Sequence, residues 1–335
     1  MSERWPQMIR IVLSGSADLE QTTRLVPYAH QYLSKPCAPQ QLENVIERCL
    51  RLHDLLNEQR LRSIVGRIRN LPSLPGIYVA LQSMVKDESV TLGEVARVVA
   101  ADTALAARVL QIVNSAFLRL ARRITSIEQA VSYLGFKSIR NLAMAVEIFS
   151  RWPKESEPII AVTQLQAHVQ TIAAACTSLT AKTPYADDAM LAGLLHDIGY
   201  LVLAKECSGE LRTCVDRAIS ENIPLYVVEQ AVIGASHAEI GAYLLGIWGL
   251  PYPIVEAVAH HHEPHRVHHP DFDVLAALAI SQAIAQSDDA SVFPPGVPPD
   301  PRVGASYLQS FNAPFDWNEA ERRIAEATNT NGTAA

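Results

Sequence analysis

Met190-Leu-Ala-Gly-Leu-Leu-His-Asp-Ile-Gly-Tyr-Leu-Val-Leu-Ala204 is the stretch on which the fold turns. It is apolar on every side, so it reads as a central helix that buries His196. Working outward, His168 lies 28 residues before His196, His237 lies 40 after Asp197, and His261-His262 begins 24 after His237. Each of these sits on or beside an apolar segment. Imidazole nitrogen and carboxylate oxygen are the donors that hold divalent transition metals. A His followed at once by Asp lets one residue bind terminally while the carboxylate bridges to a second ion. The order His…His-Asp…His…His-His is a framework for a two-metal hydrolase. Taken singly, each His reads as a satisfied core residue, and His196-Asp197 as a buried pair that fixes helix packing.

Composition sets the outer limits. With 335 residues, 49% hydrophobic and 19% charged, the chain holds about two domains and a large core. A net charge of −7 argues against general affinity for nucleic acid. The local basic run Arg60, Arg62, Arg67 and Arg69 reads as a solvated helix face. Cys37, Cys49, Cys176, Cys207 and Cys214 show no Cys-x-x-Cys, which points to reduced thiols in the cytoplasm. No signal peptide or membrane span is evident.

Residues 9–14 and 31–34 read as short buried strands separated by a helix at 18–27, with Lys35-Pro36 stopping the second. A long helix is expected from Pro39. Its seam Leu42, Val45, Cys49, Leu52 and Leu56 suits either a homodimer through residues 40–57 or packing on the domain's own sheet. Residues 57–285 read as wholly helical. Thr91-Leu-Gly-Glu94, Ser126-Ile-Glu-Gln129 and Ser236-His-Ala-Glu239 are capping boxes. Asp102 caps a helix carrying Leu105, Val109, Ile112 and Val113 on one face, and Gly135 is a C-terminal stop. Asn114-Ser115 lacks a neighbouring base and reads as helix-end hydrogen bonding. Leu71-Pro-Ser-Leu-Pro75 is a rigid entry turn. The tract 260–269 holds six histidines; it suits a freestanding metal-binding tract or, on the plainer reading, three that end a helix and three in an exposed loop. From 286 onward the proline-rich Val292–Pro299 segment reads as a linker, followed by a short amphipathic helix at Trp317–Ala327 and a polar tail.

Two resemblances follow. The strand-helix-strand-Lys-Pro-helix order over residues 5–56 resembles the C-terminal half of a response-regulator receiver domain, with Ser14 and Lys35-Pro36 in the matching places. The strands bearing the phosphoacceptor Asp would precede Met1, so this remnant is expected not to accept a phosphoryl group. Secondly, Leu71–Pro75, Ala101-Asp-Thr-Ala-Leu105, Leu110–Ala116, Ile127–Gly135, Gly193-Leu-Leu-His-Asp-Ile-Gly199, Gly234–Gly241, Trp248–Pro251 and His261-His-Glu-Pro264 resemble the HDOD domain. This is a signalling output module related to HD and HD-GYP phosphohydrolases.

The second resemblance implies a mostly α, two-lobed domain over 58–285: a helical bundle at 58–155 and an HD-like lobe at 156–285. An α/β receiver-like fragment at 1–57 precedes it and a linker and tail at 286–335 follow. It also implies metal ligands His168, His196, Asp197, His237, His261 and His262 for divalent Fe, Mn or Mg, with a site that holds no metal as the alternative. In an active member Asp197 would bridge the metals or orient the nucleophile. Three departures stand against activity: Gln282 where the closing Asp belongs, Tyr200 where HD-GYP enzymes carry Lys, and no Gly-Tyr-Pro after His-His-Glu. The expectation is a signalling output module in a two-component phosphorelay context, acting by contact with other signalling proteins. Its alternative is an HD-type phosphohydrolase acting on a nucleotide or cyclic dinucleotide.

Overall fold

The computed structural model describes residues 11–14, 31–34, 39, 42–43, 46, 75–84, 90–114, 124–150, 159–181, 183–267, 271–285, 292–311 and 313–328. Two strands, β1 (Ile11–Ser14) and β2 (Gln31–Ser34), pair in parallel with Ile11 opposite Gln31 and Ser14 opposite Ser34. Of the helix expected at 40–57 only Leu42, Glu43 and Ile46 are described, all helical; the rest of that seam, residues 71–74, Ser115 and His268-His269 lie outside the described residues.

Four helices form the first group: α1 (Gly76–Met84), α2 (Leu92–Ala100), α3 (Thr103–Val113) and α4 (Ile127–Ser150). Their starts are set by side chains that satisfy the orphan N–H groups of a first turn. Thr91 Oγ1 accepts from Glu94 N–H while Glu94 Oε2 accepts from Thr91 N–H at 2.8 Å. Asp102 Oδ1 takes both Ala104 N–H and Leu105 N–H at 3.0 Å. Gln129 N–H donates to Ser126 Oγ, but the returning bond runs from Thr125 N–H to Gln129 Oε1. Glu147 on α4 caps α1, accepting from Gly76 N–H and Ile77 N–H, which places a negative charge at a helix N-terminus. Asn114 ties α3 to the next segment through both its amide atoms and Ile124, the structural role expected of it. Gly135, with φ of 79°, breaks α4 as expected, but the helix resumes at once beyond the kink.

The remaining helices are α5 (Val162–Thr180), α6 (Ala186–Leu195), α7 (Gly199–Glu206), α8 (Ser208–Glu221), α9 (Leu225–Val232), α10 (His237–Ile247), α11 (Tyr252–His260), α12 (Val274–Ile284), the single turn α13 (Ala305–Leu308) and α14 (Trp317–Thr328). α5, α6, α11 and α12 pack on one another, α7 lies on α10, and α4 joins the two groups through α6. The Ser138 hydroxyl donates to Asp187 Oδ1 at 2.7 Å across that junction.

Two crossings are backbone against backbone. A Cβ on Gly193 would lie 2.6 Å from Ala173 Cα, and one on Gly199 would lie 1.9 Å from the carbonyl oxygen of His237. Only glycine allows α6 to lie so close on α5, and α7 on α10.

The stretch 190–204 differs from the single helix expected. It forms two helices broken at His196-Asp197-Ile198, where bonding tightens to Ile198 N–H→Leu195 O, Tyr200 N–H→Asp197 O and Leu201 N–H→Ile198 O. An element buried on all sides has no polar stripe whose shift in phase would reveal the break. The expected linker also differs: Val292 is buried, and its carbonyl accepts from Ala161 N–H at 2.8 Å. Beyond it, α14 buries Ala320, Ile324 and Ala327 and packs on α5 and α12. Among the described residues no helix is long and apolar enough to cross a membrane.

Candidate metal centre

All six residues singled out in the sequence come together. His168 comes from α5, His196 and Asp197 from the α6–α7 turn, His237 from the first position of α10, and His261 and His262 from the end of α11. They fall into two sets, His168/His196/Asp197 and His237/His261/His262, the donor atoms within each lying within 4.8 Å of one another. Asp197 stands between the sets. Its Oδ2 faces His196 Nε2 at 3.2 Å and His168 Nε2 at 3.6 Å, while its Oδ1 faces His237 Nε2 at 3.4 Å and His261 Nε2 at 3.9 Å. This is the placement a bridging carboxylate needs, one oxygen to each set.

The outward nitrogens fix the ring tautomers. His196 Nδ1 lies 2.8 Å from Gly193 O, and His261 Nδ1 lies 2.8 Å from Val258 O. A carbonyl only accepts, so both Nδ1 atoms carry hydrogen. His237 Nδ1 meets Glu229 Oε2 at 2.8 Å, and Glu229 also accepts His237 N–H at 2.7 Å. His262 Nδ1 faces Asp300 Oδ2 at 3.3 Å. Four rings thus turn Nε2 inward. His262 Nε2 and His237 Nε2 are 2.9 Å apart, and His168 Nε2 and His196 Nε2 are 3.1 Å apart. His261 Nε2 is buried with no hydrogen-bond partner among the described residues.

Buried lone pairs converging on one another require positive charge between them, as a proton or as a cation. Burial pushes His237 down, but Glu229 and Asp197 outweigh it and carry the ring up to about 10. That ring holds a proton where a cation would otherwise lie. Burial alone would raise Asp197, yet His196 and His237 hold its carboxyl well below the usual carboxylate range. Burial, and then the neighbouring imidazoles, push His261 and His262 well down, leaving them neutral, the form that ligates. The orphaned Nε2 and the set of imidazoles around one ionised carboxylate fit a divalent transition ion.

The site opens on a cavity of about 190 Å³. His168, Asp197, Tyr200, His237, Gln282 of α12 and residues 297–303 are among the residues that line it. Gln282 is therefore at the cavity, but with a neutral amide. Tyr200 stacks on His237, ring centroids 3.9 Å apart, and so packs against the cluster. Burial, with Glu229 and Asp197 nearby, raises its hydroxyl well above the ordinary value and keeps it neutral.

Glu229 and Asp300 were not anticipated. Glu229 left a signal: it shares the buried face of α9 with Leu225 and Val228, where a lone carboxylate demands a partner. Asp300 left none, because nothing local relates it to a histidine 38 residues earlier.

Comparison with known proteins agrees with this architecture. The HDOD domain profile matches residues 71–264. A curated protein of uncharacterised function from Treponema pallidum (strain Nichols) is 27% identical over 204 residues, 61% of this chain and 40% of that protein. The chain thus spans well under half the length of that relative. A crystal structure from Shewanella amazonensis SB2B, provisionally assigned as a phosphohydrolase, aligns with a TM-score of 0.61 at 23% identity, covering 82% of this chain and 97% of that one. An HDOD domain protein of unknown function from Geobacter sulfurreducens aligns at 0.57 with 24% identity, covering 79% and 85%. At these identities the likeness is one of fold. With the profile spanning more than half its length, the chain belongs to the HDOD domain family and has that family's all-helical fold.

Proposed function

We propose that this protein is a signalling output module whose HD-like lobe holds divalent metal in two adjacent sites. The metals serve there to hold one conformation rather than to turn over substrate. What carries the reading is the convergence of Nε2 atoms on the two oxygens of Asp197, including His261 Nε2, which has no hydrogen-bond partner among the described residues. His168, His196 and Asp197 Oδ2 would form one set; His237, His261, His262 and Asp197 Oδ1 the other. Five imidazoles to one carboxylate favour Fe, Mn or another transition ion over Mg, which prefers oxygen.

Two observations support a holding role. Gln282 offers no charge where a closing carboxylate would complete the first set. The cavity of about 190 Å³ is below the roughly 300–1,000 Å³ of most ligand pockets. In this reading residues 58–155 and 156–285 are the two lobes, and contacts with other signalling proteins carry the output. Residues 1–57 would serve as a receiver-like fragment and helix 40–57 as a pairing surface.

A second reading, an HD-type phosphohydrolase, is favoured by the sharing of Asp197 between the two sets and by the first set, whose two imidazoles and one carboxylate oxygen leave coordination positions open. A divalent ion bound there supplies Lewis acidity and an activated water. Asp197 would hold the two sets in register, and the protonated Nδ1 atoms of His196, His237 and His261 would keep their rings aimed inward. Metal analysis of the purified protein, followed by assay with bis-p-nitrophenyl phosphate and cyclic dinucleotides in Mn²⁺ or Fe²⁺, separates the two. The first reading expects about two equivalents of metal and no turnover. Metal-dependent turnover abolished by Asp197→Ala overturns it, and protein that binds no metal overturns both.

A further inference from the structure

Three of the four outward Nδ1 contacts come from within the HD-like lobe: Gly193 O, Val258 O and Glu229. The fourth is different in kind. His262 receives its partner, Asp300, from a proline-rich segment with no helix of its own, laid across the site from outside. That segment is anchored at both ends. Val292 is buried and bonded to Ala161 N–H; Tyr307 and Leu308 are buried at the other end. Between the anchors Phe293 packs edge-on to Tyr200, ring centroids 5.0 Å apart. Gly296, at φ of 101°, passes so close to Ile219 that a Cβ would lie 3.2 Å from its Cγ2. Residues 297–303 then form one wall of the cavity.

We propose that Asp300 is a positioning carboxylate for the second metal set, so that metal binding and the seating of residues 292–303 are linked equilibria. The inference rests on the metal-binding reading above. An imidazole that ligates through Nε2 is oriented, and made more basic, by a carboxylate on its Nδ1–H. Asp300 Oδ2, 3.3 Å from His262 Nδ1, stands on that side of the ring. His262 also stacks on Tyr226, centroids 4.5 Å apart at an interplanar angle of 3°, so its ring plane is fixed and Asp300 sets its polarity. Linkage is reciprocal: whatever factor the seated segment adds to metal affinity, metal adds to the stability of the seated segment. Release would uncover Phe293, Val297 and the apolar flank of Tyr200, a surface a partner could read. Metal occupancy would thereby control what the lobe presents.

The test uses the full chain stripped of metal, with Mn²⁺ as probe. Chelator-competition titration measures each equivalent in the wild type and in Asp300→Ala. Trypsin cleavage at Arg302–Val303 is timed with and without Mn²⁺. The expected result is a second equivalent weakened about 10–100-fold in Asp300→Ala, with the first unchanged. Metal should slow wild-type cleavage by a similar factor and leave cleavage of the variant unaffected. Asp300→Asn, which keeps an acceptor but loses the charge, should fall between them. Circular dichroism confirms that the variants are folded. If the wild type binds two equivalents and Asp300→Ala binds both as tightly, this inference fails and the metal centre stands. If the wild type binds none, both fail. Metal that binds but leaves wild-type cleavage unchanged also refutes the linkage.

Discussion

Gly199→Ala would place a methyl carbon 1.9 Å from the carbonyl oxygen of His237, 2.6 Å from its carbonyl carbon and 2.9 Å from its Cα. All three are backbone atoms of the first turn of α10, so no rotamer relieves the contact. Restoring an ordinary separation of about 3.4 Å requires α7 and α10 to part by about 1.5 Å. That distance is decisive, because Asp197 lies two residues before Gly199 and faces His237 Nε2 at only 3.4 Å. Metal sites tolerate errors of about 0.2 Å in ligand distance. Asp197 Oδ1 would therefore be lost to the His237 set while Oδ2, facing α5, stays in place.

Overpacking of this kind costs about 1–3 kcal/mol or somewhat more, equivalent to a fall in Tm of about 2–12 °C at about 2–4 °C per kcal/mol. Differential scanning calorimetry on stripped protein reads the first effect, and Mn²⁺ titration reads the second. The expected variant is folded, less stable, and keeps one metal equivalent. Gly209→Ala is the control: its Cβ would meet nothing within 4 Å, so the substitution is neutral or stabilising by up to about 1 kcal/mol. Gly199→Ala with wild-type Tm and two tight equivalents would show that the α7–α10 contact does not position the site.

Glu229→Ala strips His237 of both its backbone and ring acceptors in a fully buried position. It is expected to cost about 3–5 kcal/mol, read by urea denaturation, and a loss under 1 kcal/mol would refute the pairing. Gln282→Asp adds the missing carboxylate beside the cavity. It should enlarge the stabilisation that Mn²⁺ confers, read as a rise in Tm; for the wild type that stabilisation is about 2.7 kcal/mol at a hundredfold excess over Kd, and no gain over wild type would place residue 282 outside the metal set. Burial raises Cys176 and Cys214 from 9.0 to about 12, so their thiolate fraction at pH 8 is about a thousandfold below that of a free thiol. Native-state labelling of either should be slow and rise about tenfold per pH unit. Because their folded values are raised, the stability they contribute is lost as pH climbs from about 9 towards 12, and rapid labelling at pH 8 would contradict the burial.

What could be read in advance was whatever depends on neighbours in sequence. Thr91, Asp102 and Ser236 cap helices because a side chain and the N–H groups it serves lie within three residues. The six candidate ligands could be found because His and Asp among apolar residues are costly to bury without a partner. The break at His196–Ile198 escaped because a segment buried on every side loses the periodic contrast that locates a helix end. Gly199 was its one local mark, and the reason for that glycine is a carbonyl 38 residues away. The seating of residues 292–303 escaped for a different reason. Prolines and glycine describe a chain that forms no regular structure, which fits both a free linker and a segment pinned across a cavity.

The charges at the site bear on how metal and the covering segment act together. Asp197, Glu229 and Asp300 bring three carboxylates around His237, His261 and His262. With no ion in place Glu229 and Asp197 carry His237 up to about 10, and the added proton, which a ligated metal would displace, offsets one of their charges. Asp300, about a third exposed, is the carboxylate most easily returned to water. Without a cation its contact with His262 is to a neutral ring and is worth little against solvent. With a cation on the Nε2 side, the same ring becomes a polarised donor and Asp300 a charge-assisted acceptor. On the proposed reading the outer surface would answer to an ion beneath it, which would require no substrate to enter the cavity and no bond to break.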